Sequence, residues 1–221
     1  MAKKYNEYYL NWNEINSIIT AAKNLKESVV LKILARTGMR RFELANIKIK
    51  DVDFGRKRIF IEKGKGANEK DPKSRAVPID DDTLQAIKFY IGSRKTGFLI
   101  QSNKKGHEGI SLSQINRIVA NCAKRAYIKN PNPKLKNMNP HIFRHSFSRL
   151  SLAAGIPFNM VQKMAGHADA RTTLQMYGVP SITDTQQLYE EKLIDKFKAK
   201  PKKDDAKLSE FGNEQDGNKQ E

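Results

Sequence analysis

The chain carries one cysteine, Cys122, in 221 residues. That excludes an internal disulfide and a cysteine-built metal cluster. No apolar run is long enough to cross a membrane. The first residues, MAKKYNEYYL, lack the apolar stretch of a secretory leader, so the expected location is cytoplasmic. There is no internal repeat, and no glycine motif for a dinucleotide or a phosphate loop. The most informative scarcity is of negative charge. Between Glu108 and Asp169 no acidic residue occurs, while nine Lys and Arg do. The formal charge is +17, and from Lys198 onward six basic and six acidic residues cancel. The whole excess therefore lies in residues 1–197. A body this basic points to a polyanion, most simply nucleic acid.

The length admits one large domain or two small ones. Residues 1–10 read as a lead-in strand or arm. Trp12-Asn13-Glu14 opens a helix with Ile15, Ile18 and Ile19 on one face. Residues 23–27 read as a polar break, and Ser28 to Arg36 as a second helix stopped by Thr37-Gly38. In the following TGMRRFELANI, Phe42, Leu44 and Ile47 are the expected core residues. Glu43 lies three residues past Arg40, close enough to pair with it or with another arginine. Such spacing is more often a surface ion pair than a site.

RIFI (58–61) and RAVPI (75–79) have strand propensity and enclose a glycine- and lysine-rich tip, the pattern of a β-hairpin. Lys65 sits between Gly64 and Gly66, which frees its backbone for close approach to DNA. Lys63, Lys73 and Arg75 are the expected DNA-binding residues of this hairpin. Helices follow over 81–91, 111–127 and 141–153, with Cys122 turned inward. Three prolines keep the connector 129–140 from being helical. Pro157 starts a further helix that stops at Gly166-His167, and residues 184–197 form the last one. The polar tail 198–221 has the composition of disorder.

The stretch 139–178 holds three of the four histidines. His141 and Arg144 are three apart, so on a helix they point the same way. A cationic pocket with a tyrosine nearby suits a phosphate. Residues 155–177 also resemble a helix-turn-helix, which would bind DNA without chemistry. These residues by themselves leave both readings open.

TGMRRFEL (37–44), the GKG tip (64–66), HIFRH (141–145), AGH (165–167) and TTLQMY (172–177) occur in that order. Together they resemble the catalytic domain of the tyrosine recombinases, the family of phage integrases and Xer proteins. The resemblance covers roughly residues 10–197. It implies a mainly α fold with a small antiparallel β-sheet, the tyrosine recombinase catalytic-domain fold. It divides the chain into a lead-in (1–10), a catalytic domain (11–197) and a tail (198–221). Arg40, Lys65, His141, Arg144, His167 and Tyr177 match the family's catalytic set, and Glu43 the acid that supports its arginines. The spacing from His167 to Tyr177 is one residue longer than in Xer proteins and matches the phage-type form.

The resemblance implies a site-specific recombinase that cuts and rejoins double-stranded DNA through a 3′-phosphotyrosyl link. No metal and no cofactor belongs to that chemistry. A homo-oligomer on DNA, a dimer or tetramer, is implied. The Lys-rich composition with no organelle signal fits a prokaryotic or viral origin. The alternatives are a type IB topoisomerase-like or resolvase activity, or a DNA-binding regulator that does not turn over. Family members carry an N-terminal DNA clamp, whereas here Trp12 already resembles the start of the catalytic domain. The helix 184–197 is the expected segment for docking on a neighbouring subunit, or for folding back on its own domain.

Overall fold

The second helix of the chain is apolar on most of its circumference, which a helix tolerates only when surrounded. In the computed structural model, which describes residues 8–62, 74–103 and 106–166, that helix is the centre of the core. It is α2, Leu25–Thr37, and Val29, Val30, Leu31, Ile33 and Leu34 are fully buried. Around it stand α1 (Trp12–Thr20), α4 (Asp81–Ile91), α5 (Leu112–Arg125) and α6 (Pro140–Ala153). The short α3 (Arg41–Asn46) and α7 (Phe158–Ala165) complete the α-helices among the described residues, and Ile49–Asp51 adds one 3-10 turn. The chain divides into two units, Met1–Tyr177 and Gly178–Glu221, and every described residue lies in the first.

Three strands, β1 (Val52–Asp53), β2 (Arg58–Ile61) and β3 (Arg75–Pro78), form one antiparallel sheet in the order β1-β2-β3. The expected hairpin is present, with Ile61 opposite Arg75 and Ile59 opposite Val77. The fold is thus mainly α with a small antiparallel sheet, as the sequence implies. The expected hairpin tip with Lys63, Lys65 and Lys73 lies outside the described residues, as do residues 1–7, His167, Tyr177, the segment 184–197 expected to be helical, and the tail.

Local rules set most boundaries. α2 begins at Leu25, three residues earlier than expected, because the Asn24 side chain accepts from the Glu27 N–H at 2.9 Å. Pro140, expected in the connector, is instead the first residue of α6, where its missing N–H costs nothing. The Asn139 side chain caps that helix, accepting from the N–H groups of His141 and Ile142 at 3.0 and 3.3 Å. The lead-in is anchored to the same helix. Leu10 is buried and its N–H donates to Ser146 Oγ at 2.7 Å, and Arg149 stacks over the Tyr9 ring.

Candidate active site

The turn between α2 and α3 builds one wall of the site. Gly38 has φ +61°, the left-handed conformation that ends a helix. A Cβ there would lie 2.3 Å from Phe147 Cδ1, so both the turn and the packing of α6 require glycine. The Gly38 carbonyl accepts from Arg144 Nη1 at 2.8 Å. Arg40 caps α3, and its N–H donates to Glu43 Oε2 at 2.7 Å. Its Nη1 lies 3.3 Å from Glu43 Oε1, and Nη2 donates to the Gly166 carbonyl at 2.9 Å. The turn thus places Arg40 beside Arg144, more than a hundred residues later in the chain.

α6 supplies the opposite wall. His141 and Arg144, three residues apart, both line the same cavity, as helical spacing demands. The cavity measures about 470 Å³, with Arg40, Arg41, Asn139, His141 and Arg144 among its walls. Arg144 is buried and also donates to the Ala165 carbonyl at the end of α7. Arg41 donates to Asn116 Oδ1 at 2.9 Å, which ties the rim to α5.

The electrostatics are cationic. His141 has its pKa lowered from 6.5, first by partial loss of hydration and then by the charges of Arg144, His145, Arg40 and Arg41. It is therefore neutral at physiological pH, with a lone pair for a proton. Burial alone would raise the Glu43 carboxyl. The hydrogen bonds and charge of Arg75, the Arg40 N–H and the Arg144 charge outweigh it and hold Glu43 below its ordinary value. A phosphodiester entering this cavity would meet two arginines and a neutral histidine, a set suited to a charge that grows as a phosphorane forms.

Arg40, His141 and Arg144 come together as expected, with Glu43 behind Arg40. Two expectations are overturned. Phe42, expected in the core, is 51% exposed and lines the cavity, because α3 turns it towards the opening. Arg75, expected on DNA, points inward: its side chain is 6% exposed and forms an ion pair with Glu43 at 2.8 Å. The alternation of β3 carried the signal, since Arg75 lies two residues before the buried Val77 and shares its face. Asn139 was also missed, although Asn-Pro ahead of a helix is a capping pattern.

The sequence pattern of the phage integrase family matches residues 8–181. Among curated relatives, the tyrosine recombinase XerA of Pyrococcus horikoshii is 29% identical over 171 residues, 76% of this chain and 55% of that protein. The tyrosine recombinase XerD of Staphylococcus haemolyticus is 30% identical over 180 residues, covering 77% of this chain and 56% of its own. The chain spans a little over half the length of these relatives. The crystal structure of XerA recombinase superposes with a TM-score of 0.67 at 27% identity, covering 84% of this chain and 64% of that one. The match over residues 8–181, which is most of the chain, establishes that the chain belongs to the phage integrase family.

Proposed function

We propose that this chain is a site-specific DNA recombinase that cuts and rejoins strands through Tyr177. The observation that carries the reading is the cavity in which Arg40, His141 and Arg144, from two distant segments, face one volume. Residues 11–197 are assigned as the catalytic domain. Double-stranded DNA is the substrate, held by a homo-oligomer in the cytoplasm of a prokaryote or in a host of its virus. Among the described residues no helix is long and apolar enough to cross a membrane.

The Tyr177 oxygen attacks a backbone phosphorus, a new P–O bond forms, and the bond to the 5′ oxygen breaks. A phenol with a pKa of about 10 is deprotonated at neutral pH at a cost of roughly 4 kcal/mol. His141, neutral in the resting site, accepts that proton, and Lys65 gives one to the departing 5′ oxygen. Arg40 and Arg144 stabilise the charge that the phosphorane adds to its equatorial oxygens, with His167 as a further donor. Losing one such donor is worth about 2.7–4 kcal/mol in related electrostatic sites. A 5′ hydroxyl of another strand then attacks the phosphotyrosyl link. The bond energy is conserved in that link, so rejoining needs no nucleotide cofactor.

The test is a covalent trap. The full chain is incubated with nicked duplex DNA made from pooled genomic fragments, denatured, and resolved on a gel. An adduct formed by wild type and lost in Tyr177→Phe establishes the nucleophile. DNA binding without an adduct would convert the reading to a non-catalytic regulator. Relaxation of supercoiled DNA without sequence preference would move it to a type IB topoisomerase-like activity.

A further inference from the structure

Arg75 stands outside the cavity but inside its support. Its Nε donates to the Met164 carbonyl at 2.9 Å, and Nη1 and Nη2 each donate to one Glu43 oxygen at 2.8 Å. Nη2 also reaches the Ala165 carbonyl at 3.3 Å. A guanidinium fork that engages both oxygens of a carboxylate fixes its plane as well as its position. The end of α7 lies directly on this group. Gly166 has φ +71°, and a Cβ on it would fall 2.6 Å from Arg75 Cζ.

Two of these acceptors are shared with the arginines of the cavity. Glu43 accepts from the Arg40 N–H and contacts Arg40 Nη1. The Ala165 carbonyl accepts from Arg144 as well as from Arg75. Arg75 is thus one acceptor away from Arg40 on one side and from Arg144 on the other. The exposures differ accordingly, with 39% of the Arg40 side chain open and 6% of Arg75.

We infer that Arg75 is a positioning residue that clamps Glu43 and the end of α7, and thereby sets where Arg40 and Arg144 present their charge. The fork holds both Glu43 oxygens at 2.8 Å, while the contact of Arg40 Nη1 with Glu43 Oε1 is longer, at 3.3 Å. Without Arg75, Glu43 would draw the Arg40 guanidinium onto itself and cancel charge needed at the phosphate. The clamp follows from these distances, and its catalytic consequence rests on the strand-cleavage reading above.

Two measurements on the full chain test this. The first is the side-chain Nε–H spectrum of arginine-labelled protein, assigned by substitution. Arg75→Met shifts and broadens the Arg40 and Arg144 signals while the α2 backbone amides stay in place. The second is the covalent trap run beside duplex binding. Arg75→Met lowers the adduct rate at saturating DNA about 100-fold, the scale of a misplaced catalytic group, and leaves duplex affinity near wild type. Arg75→Lys keeps the charge but not the fork, and does not restore the rate.

Unmoved Arg40 and Arg144 signals would overturn the inference. So would a variant that weakens duplex binding, lowers its salt dependence and is rescued by lysine, since that describes a phosphate contact. If Arg75→Met does not fold, Arg75→Lys decides by the same two readouts. If wild type forms no adduct, the strand-cleavage reading fails, and the spectra alone decide the role of Arg75.

Discussion

Among the described residues, two arginine–glutamate pairs are largely withdrawn from solvent, and one of them stands behind a cavity. Arg75–Glu43 joins β3 to α3, and Arg125–Glu27 joins α5 to the start of α2. In each, the arginine Nε also holds a main-chain carbonyl, Met164 in one case and Ala21 in the other. Their surroundings differ. Glu27 also accepts from the Lys23 N–H at 2.9 Å and from the Cys122 thiol at 3.5 Å, both structural. Glu43 also accepts from the main chain and guanidinium of Arg40, which lines the opening. A buried ion pair is by itself weak evidence even for stability, because desolvation offsets the attraction. What separates these two is where the second set of hydrogen bonds leads.

Removing each acid breaks the comparison most sharply. Glu43→Ala leaves Arg75 buried without its carboxylate, and about 3–5 kcal/mol of stability should be lost. The adduct rate per folded molecule should also fall by about 100-fold or more. Glu27→Ala should cost stability at the lower end, about 3 kcal/mol, with the rate per folded molecule unchanged. Urea unfolding and the covalent trap, run on both variants, read the two effects separately. Equal losses of rate would erase the distinction.

Gly38→Ala is the next largest. A left-handed alanine costs about 1–2 kcal/mol, and crowding Phe147 adds about 1–3 kcal/mol. Because the Gly38 carbonyl holds Arg144, the rate should fall as well. Alanine at Gly92, also at positive φ but with open space around its Cβ, is the control that should spare the rate.

Titration sharpens the contrast further. The lowered pKa of Glu43 contributes stability that is present at neutral pH and lost as pH falls through its folded value. The lowered pKa of His141 acts in the same direction, since the unfolded chain takes up the proton first as pH drops below 6.5. Glu43→Gln should therefore flatten the acid limb of the stability curve, and His141→Gln should flatten it just below 6.5. A bound phosphate would raise the His141 pKa, so DNA binding should take up protons in that window, a quantity that calorimetry in two buffers reads directly.

The smallest effect belongs to the other pair. Burial and then the Glu27 charge push the Cys122 thiol up to about 12, against the opposing pull of Arg125. The thiolate is the reactive form. Iodoacetamide at mildly alkaline pH should leave native Cys122 intact and modify it once the chain is unfolded. Rapid native alkylation would show the Arg125–Glu27 region to be open.

Much of this was legible in the residues. Ser111 and Gln114 signal the start of α5, and the two form its capping box. Gly38 marks the end of α2, and the helical spacing of His141 and Arg144 puts both on one wall. Phe42 and Arg75 ran against expectation, for one shared reason. Apolar character favoured burying Phe42, and charge favoured exposing Arg75. Their places were instead set by partners distant in sequence: Glu43 and the α7 carbonyls drew the arginine inward, and the orientation of α3 turned the phenylalanine outward.

The sequence by itself determined what local rules govern: helix periods, caps, stops, the hairpin strands and the order of the motifs. It also determined the cationic balance that makes a polyanion the natural partner. Only the tertiary structure decided which arginines face the cavity and which one stands behind it. A guanidinium is defined by the acceptors it finds, and for Arg75 these lie 32, 89 and 90 residues away along the chain.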